Sequence, residues 1–569
     1  MITRKQQRLS LGRLGERLVH DGLLTEEQLR QALERQNQMG GSLGGIIVGM
    51  GFLTSGDIKP YLEEGTGFPF VDIVEEEISR DVVALIPKAT AVARMALPFR
   101  EQNGRILVAM ADPLDIGTID EYRATFNKPI EPCLALGGDL AEAIKRSYDS
   151  RENVRDLIHE IGTNDNADNE PLEELIDQGN EAPIVRIVNS LVVGAIATGA
   201  SDIHLEPQEG NVRVRYRIDG VMYEQMTLPL NHLPACISRL KIMGALDIAE
   251  RRRPQDGRFS TRDDQGREFD IRLSLMPTVY GEKACMRLLE KANSLASVGK
   301  IGFFPEQRAM FERFIKRPHG LILVTGPTGS GKSTTLFAAL QAINDSTKNI
   351  NTVEDPVEYR LSGINQMQVN AKIGVTFAAG LRTLVRQDPD VILVGEIRDK
   401  DTAEIAIQAA LTGHLVLSTL HTNDAPGALV RLQNMGVEPF LISSAIVGIV
   451  GQRLMRNLCP FCRQEYLPSM DMALITGLPI VDGKPPMVAR AVGCKRCGGR
   501  GTKGRSAVLE ILAITEKLRE MVLQGCSGPE ITAHAVSEGM ATMKDCAIRK
   551  ALDMQVSLEE IIRVFAQEE

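Results

Sequence analysis

The stretch LILVTGPTGSGKSTTL, Leu321 to Leu336, constrains this chain more than any other. Leu321 to Val324 is an apolar run of the kind that fills a buried strand. Gly326, Pro327, Thr328, Gly329, Ser330, Gly331, Lys332 and Ser333 then keep the spacing GxxxxGK[ST], and a helical pattern follows from Ser333 and Thr334. Glycines let successive backbone N–H groups turn inward around phosphate oxygens. Lys332 is placed for the β- and γ-phosphates and Ser333 for a magnesium ion. A strand, this turn and a helix, repeated onward from about residue 300, predict an α/β domain on a largely parallel sheet.

A second strand, VILVGEIRD (Val391 to Asp399), closes differently from most phosphate-loop sites. Where an Asp commonly holds the metal, Gly395 stands, and Glu396 follows. Upstream, NVRVRYRID alternates strictly, with Val212, Val214, Tyr216 and Ile218 on one face and Arg213, Arg215 and Arg217 on the other. EFDIRLSLMP does the same with Phe269, Ile271, Leu273 and Leu275 inward. Residues 183–295 therefore read as an α+β domain with a half-exposed antiparallel sheet.

With TVEDPVEY (Glu354, Asp355, Glu358) and TGHLVLSTLHT (His414, His421), these blocks closely resemble the secretion ATPases of type II secretion and type IV pilus assembly. The resemblance spans nearly the whole chain and is most specific in residues 183–500. It implies a RecA-like ATPase domain at 300–569 that binds ATP and Mg²⁺. Glu396 then replaces the missing aspartate, serving the metal through a bound water. Glu358 becomes the catalytic base, with Glu354 and Asp355 as alternatives. His421 contacts the γ-phosphate, and His414 is an open second histidine. Arg272 and Arg287 supply arginine fingers from the preceding domain, and Arg382, Arg386 and Arg398 support the site or lie between subunits. The family works as a cytoplasmic homo-hexamer, peripheral at the inner membrane, on platform proteins that assemble pilin or pseudopilin.

Nine cysteines in 569 residues do not make a disulfide scaffold, but four of them pair in sequence. Cys459 and Cys462 in CPFC, and Cys494 and Cys497 in CKRC, offer the four thiolates of a closed structural Zn²⁺ site. The family's assembly-type members share this tetracysteine element at 459–497, whereas its retraction-type members generally lack it.

The N-terminus repeats itself. RLGERLVHDGLLTEEQLRQALERQ (Arg13 to Gln36) returns as SLGGIIVGMGFLTSGDIKPYLEEG (Ser42 to Gly65), with Leu14-Gly15 over Leu43-Gly44, an offset of 29. Residues 1–65 are expected to be helical and 66–150 a small α+β unit. The repeat resembles the paired motif of an N-terminal domain that binds cyclic di-GMP in some secretion ATPases. That resemblance makes Arg13, Leu14, Gly15, Gln36, Leu43 and Gly44 ligand contacts. The second copy departs from the pattern, with Ser42 for Arg13 and Gly65 for Gln36, and Pro60 is expected to interrupt its helix. A structural helical repeat that docks onto a membrane partner is the alternative.

Residues 151–182 carry ten acidic residues and two arginines, close to the whole net charge of −9, and read as a mobile linker with a short helix possible at LEELI. That acidic balance, without a basic stripe, argues against nucleic acid as a partner. A nucleic-acid translocase with a similar core and a nucleotide-sensing module remain the rival functions. No apolar run approaches the roughly 18 residues of a membrane span, and the start lacks an apolar signal core, so a cytoplasmic chain is expected.

Overall fold

The computed structural model describes residues 14–39, 42–148, 183–263, 266–290 and 297–565. Arg13, the acidic linker and its LEELI segment lie outside these residues.

The N-terminal unit opens with α1 (residues 14–20), α2 (Glu26–Met39), α3 (Leu43–Gly49) and α4 (Ser55–Thr66). Both copies of the repeat use the same start signal. Thr25 and Gln28 bond reciprocally, Gln28 N to Thr25 Oγ1 at 3.2 Å and Thr25 N to Gln28 Oε1 at 2.9 Å. Thr54 and Asp57 do the same for α4. Contrary to expectation, Pro60 lies inside α4 without ending it. It removes one helical N–H, the donor towards Gly56. The cap at Thr54 and the buried anchors Ile58 and Leu62 hold the helix across that gap. Behind the repeat stands a sheet of β1 (Ala96–Gln102), β2 (Arg105–Met110) and β3 (Ile130–Leu134), backed by the helix Gly137–Tyr148.

The middle unit is a six-stranded sheet in the order β6-β5-β4-β9-β8-β7. Its strands are β4 (Ala200–Pro207), β5 (Asn211–Ile218), β6 (Val221–Pro229), β7 (Gln255–Arg262), β8 (Glu268–Thr278) and β9 (Gly281–Glu290), all paired antiparallel. The alternation read from sequence is the alternation observed. Val212, Val214, Tyr216, Ile218, Phe269, Ile271, Leu273 and Leu275 are buried with the helices Pro183–Thr198 and Leu233–Met243 in one core. The arginines take the open face.

The C-terminal unit has the order β12-β11-β13-β14-β10-β15-β18. Its strands β10 (Gly320–Thr325), β11 (Ile350–Glu354), β12 (Asn365–Gln368), β13 (Val391–Val394), β14 (Leu415–Leu420) and β15 (Ile446–Leu458) run parallel. The ribbon β16 (Gln464–Tyr466) and β17 (Val488–Arg490) follows, and β18 (Thr502–Ala513) returns antiparallel to β15. β10, β11, β13 and β14 are buried throughout, as strands covered on both faces must be. Among the described residues no helix is long and apolar enough to cross a membrane.

Candidate active site and metal centre

The phosphate loop leaves the carboxyl end of β10, where parallel sheets place their ligands. Gly326 (φ 144°) and Gly331 (φ 88°) adopt backbone conformations that favour glycine. A Cβ on Gly326 would stand 2.3 Å from the Gln452 carbonyl oxygen, so even alanine would displace the strand behind the loop. The helix Lys332–Ile343 starts without a side-chain cap, which leaves its first N–H groups for an anion. Ser333 and Thr334 are exposed at that start. Ser330 Oγ is buried with no partner among the described residues. Lys332, only 8% exposed, folds its ammonium back onto the carbonyls of Gly326 (2.7 Å) and Pro327 (3.1 Å). Burial pushes its pKa down, against the pull of Glu396.

Gln452 braces the loop from below, a role the sequence reading missed. Its Nε2 donates to the Ser330 carbonyl at 2.9 Å, and its Oε1 accepts from Thr335 Oγ1 at 2.7 Å. A lone buried amide in the apolar run IVGIVGQRLM was the available signal.

Gly395 explains the altered strand end. A Cβ there would lie 3.3–3.4 Å from the backbone of Val353 and Glu354 and the ring of Phe377, so a side chain fits poorly. The next residue carries the carboxylate. Glu396 Oε1 lies 2.5 Å from Arg398 Nη2, and its Oε2 lies 3.2 Å from His421 Nε2. Burial pushes its pKa up, but Arg398 and His421 outweigh that and hold it below the ordinary value. His421 follows the carboxyl end of β14. His414 precedes the amino end, where its carbonyl accepts from Gly320 N, a full strand length from the phosphate loop.

The three acids of TVEDPVEY part company. Glu354, buried at the end of β11, accepts from Thr352 Oγ1 (2.5 Å) and Gln366 Nε2 (3.0 Å) on one oxygen, and burial raises its pKa. Asp355 follows it in the loop. Glu358 is held from the other domain, for Arg272 of β8 donates Nη2 to Oε2 at 2.7 Å and Nη1 to Oε1 at 3.3 Å. Arg287 lies directly across from Arg272 in the β8–β9 register and is paired with Asp202, Nε to Oδ1 at 3.0 Å. Arg382 lies 3.5 Å from Asp401, and Arg386 is exposed.

The four cysteines converge. Cys459, Cys462, Cys494 and Cys497 place all their Sγ atoms within 4.8 Å of one another, with contacts of 3.9, 3.9 and 3.8 Å. A tetrahedral zinc with Zn–S bonds of about 2.3 Å has S···S edges of about 3.8 Å. Backbone N–H groups of Gly493, Cys494 and Gly501 point at the sulfurs, as they do at thiolates. Burial pushes the Cys497 thiol up, but the amide donors bring it to about 7.

In the N-terminal repeat the two Leu-Gly pairs interlock. A Cβ on Gly15 would meet Leu29 at 2.5 Å and Leu43 at 3.3 Å, and one on Gly44 would meet Ile58 at 3.5 Å and Leu14 at 3.7 Å. Each glycine thus admits the other copy's leucine. Arg17 pairs with Glu64, and Tyr61 donates to Asp21, so the copies are also tied at their rims. Gln36 is half-buried on α2.

A phosphate loop, a strand-end glutamate and a second acid gripped by an arginine from the preceding domain define a P-loop ATPase. Comparison with known proteins supplies the branch. The chain belongs to the type II/IV secretion system protein family, whose model matches residues 177–563. An MshEN domain model matches residues 66–154, just beyond the helical repeat. The chain is 42% identical to the type IV pilus assembly ATPase PilB of Myxococcus xanthus, over 97% of this chain and 98% of that protein. It is 46% identical to the type II secretion system protein E of Pseudomonas aeruginosa, over 77% of this chain and 88% of that one. Among solved structures, the Yersinia pseudotuberculosis ATPase DotB superposes with a TM-score of 0.51 at 20% identity, covering 69% of this chain and 97% of its own, a likeness of fold.

Proposed function

We propose that the chain is a ring motor, a homo-hexamer, that spends ATP on assembling pilin or pseudopilin at an inner-membrane platform. It would work from the cytoplasmic side, held there by platform proteins. Nearly full-length similarity to a pilus assembly ATPase supports this reading, and so does the tetracysteine cluster.

The observation that carries the chemistry is the two-pronged Arg272–Glu358 contact, which spans the two domains. With one hydrogen bond from Arg272 on each oxygen, Glu358 is a weakened base, turned towards the arginine rather than towards water. The γ-phosphate of ATP offers Arg272 a more highly charged partner. Once Arg272 turns to it, Glu358 is free to accept a proton from the attacking water while the bond to ADP breaks. Lys332 exchanges two carbonyls for phosphate oxygens. The finger and base thus switch on together when substrate arrives, and the angle between the domains follows. Arg287 adds cationic charge beside Arg272, and His421, which stands 3.2 Å from Glu396, would contact the γ-phosphate. Ser333 and Glu396 would hold Mg²⁺, which when bound neutralises phosphate charge. The four thiolates would hold Zn²⁺ in a closed, structural site. The N-terminal unit is read as a cyclic di-GMP receptor, supported by the repeat and by the MshEN match beside it.

The test is Glu358→Gln, in the purified chain and in the source strain. The variant should bind ATP normally, release no phosphate, and leave the strain without filaments or without secretion at normal protein levels. Near-normal turnover would pass the base role to Glu354. ATPase activity stimulated by DNA would favour a nucleic-acid translocase instead.

A further inference from the structure

The residues between the paired cysteines do something the metal does not need. In CPFC they are Pro460 and Phe461, and in CKRC they are Lys495 and Arg496. All four meet the N-terminal unit. Arg496, whose side chain is 6% exposed, enters a notch between Asp139 and Asp72. Its guanidinium donates to Asp139 at 2.5 and 2.7 Å, to Asp72 at 2.9 and 3.1 Å, and to Ser55 Oγ at 3.3 Å. Phe461 lies under that guanidinium, 4.5 Å from ring centroid to Cζ, and packs into the apolar cluster of the helical repeat. Lys495 Nζ donates to the carbonyls of Glu75 (2.8 Å) and Glu76 (3.3 Å). Pro460 lies against Gly51, where an added Cβ would approach it to 3.1 Å.

We infer that the tetracysteine knuckle is a metal-ordered docking socket whose partner is this chain's own N-terminal unit, keyed by Arg496 in the Asp72–Asp139 notch. The chemistry suits the task. Each CxxC turn is too short to have a core of its own, so its shape depends on four ligand bonds. With the ligands pinned, the two intervening residues of each turn are forced outward together. That presents one apolar pair and one cationic pair as a rigid surface. Arginine suits such a notch because its planar fork satisfies two carboxylates at once and stacks on an aromatic ring. Burial without these partners would be costly, so the notch and the key are meaningful only together. The docked face includes Gly51 and Ser55 of the second repeat, so the socket holds the copy that departs from the repeat pattern.

Hydrogen–deuterium exchange on the full-length chain tests this, read at residues 43–58 and 68–76, with small-angle scattering alongside. Asp139→Lys changes the notch and leaves the knuckle untouched. Arg496→Glu changes the key, and zinc content is measured beside it. A third sample is wild type with zinc stripped by a chelator. All three should speed exchange in those segments about ten- to a hundredfold and enlarge the particle. Exchange in 320–343 should stay as it was. Combining Asp139→Arg and Asp72→Asn with Arg496→Asp, which reverses the pair without setting two carboxylates together, should restore protection. If Arg496→Glu loses zinc as well, Asp139→Lys decides alone. Wild-type protection in Asp139→Lys, or after zinc removal, overturns the socket.

Discussion

Arg272 is the residue whose partner matters most, because it sits on one domain and holds the acid of another. Arginine fingers are worth about 10³–10⁵ in rate. Arg272→Ala should therefore lower kcat by about 10³ or more. Its pair with Glu358 is partly exposed, so stability should change by less than about 1 kcal/mol. Steady-state kinetics beside a thermal melt separates the two effects, and a kcat within a few-fold of wild type would exclude Arg272 from the reaction. Arg272→Lys is the sharper comparison. It keeps the charge but loses the fork, so most of the defect should remain. At this scale the placement of residues was legible wherever they are contiguous in the chain. The phosphate loop is contiguous, and Glu396 is the acid beside an expected position. Gln452 was not legible as a brace, because its contact with Ser330 bridges 122 positions.

Among the elements, β15 and β18 organise the most. They carry the knuckle between them, and β15 anchors the helix Leu558–Phe565 through Arg453 and Arg456. If the knuckle holds zinc, elemental analysis should find one ion per chain. Cys459→Ser should then loosen residues 459–501 far more than Cys133→Ser loosens its own buried surroundings, since site binding is worth on the order of 10–16 kcal/mol. Metal-free protein with an unchanged exchange pattern there would refute the site. The terminal helix is fastened by Glu560, 2% exposed, which takes Arg456 and Arg563 together. Burial pushes the Glu560 carboxyl up, but the two arginines bring it below its ordinary 4.5. A depressed acid stabilises fully above the unfolded value and loses that contribution as pH falls through the folded one. Glu560→Gln should cost about 1.5–3 kcal/mol at pH 7, since both arginines keep some contact with water. The gap in Tm from wild type should narrow as pH drops below about 4. A gap independent of pH would mean the carboxylate charge is not what fastens the helix. The strands here were readable because alternation reports burial directly. Pro60 misled because its cost, one lost bond and a ring crowded against the Gly56 carbonyl, is outweighed by tertiary packing.

At the scale of the whole molecule, the units were legible and their joints were not. Composition separates the acidic segment and periodicity separates the sheets. Arg496, however, finds Asp72 and Asp139 across 424 and 357 positions, and nothing local marks them as partners. The middle domain reaches the same place, with Asp219 accepting from Gly504 N at 3.0 Å and lying 3.7 Å from Arg505. A ligand on the N-terminal unit would act at this junction. Cyclic di-GMP titrated calorimetrically into the full chain should bind, and Arg13→Ala should weaken it by about one to two decades, the worth of one charge-assisted contact of about 1.5–3 kcal/mol. No heat and no rise in Tm at high ligand concentration would leave the repeat as a packing module, the use its interlocked glycines already make plain. The length of β15 sets the geometry of any such signal. Gly451 pairs with Thr325 at the foot of the phosphate loop, and Leu458 ends the strand at the knuckle. At about 3.3 Å per residue that is an arm of about 23 Å. Pivoted at its inner end, such an arm would turn a tilt of about 5° into a sweep of about 2 Å where the N-terminal unit is attached. Because β18 pairs with β15 along that length, the arm is a two-stranded ribbon, stiff enough that a small turn at the nucleotide would be a larger one at the periphery.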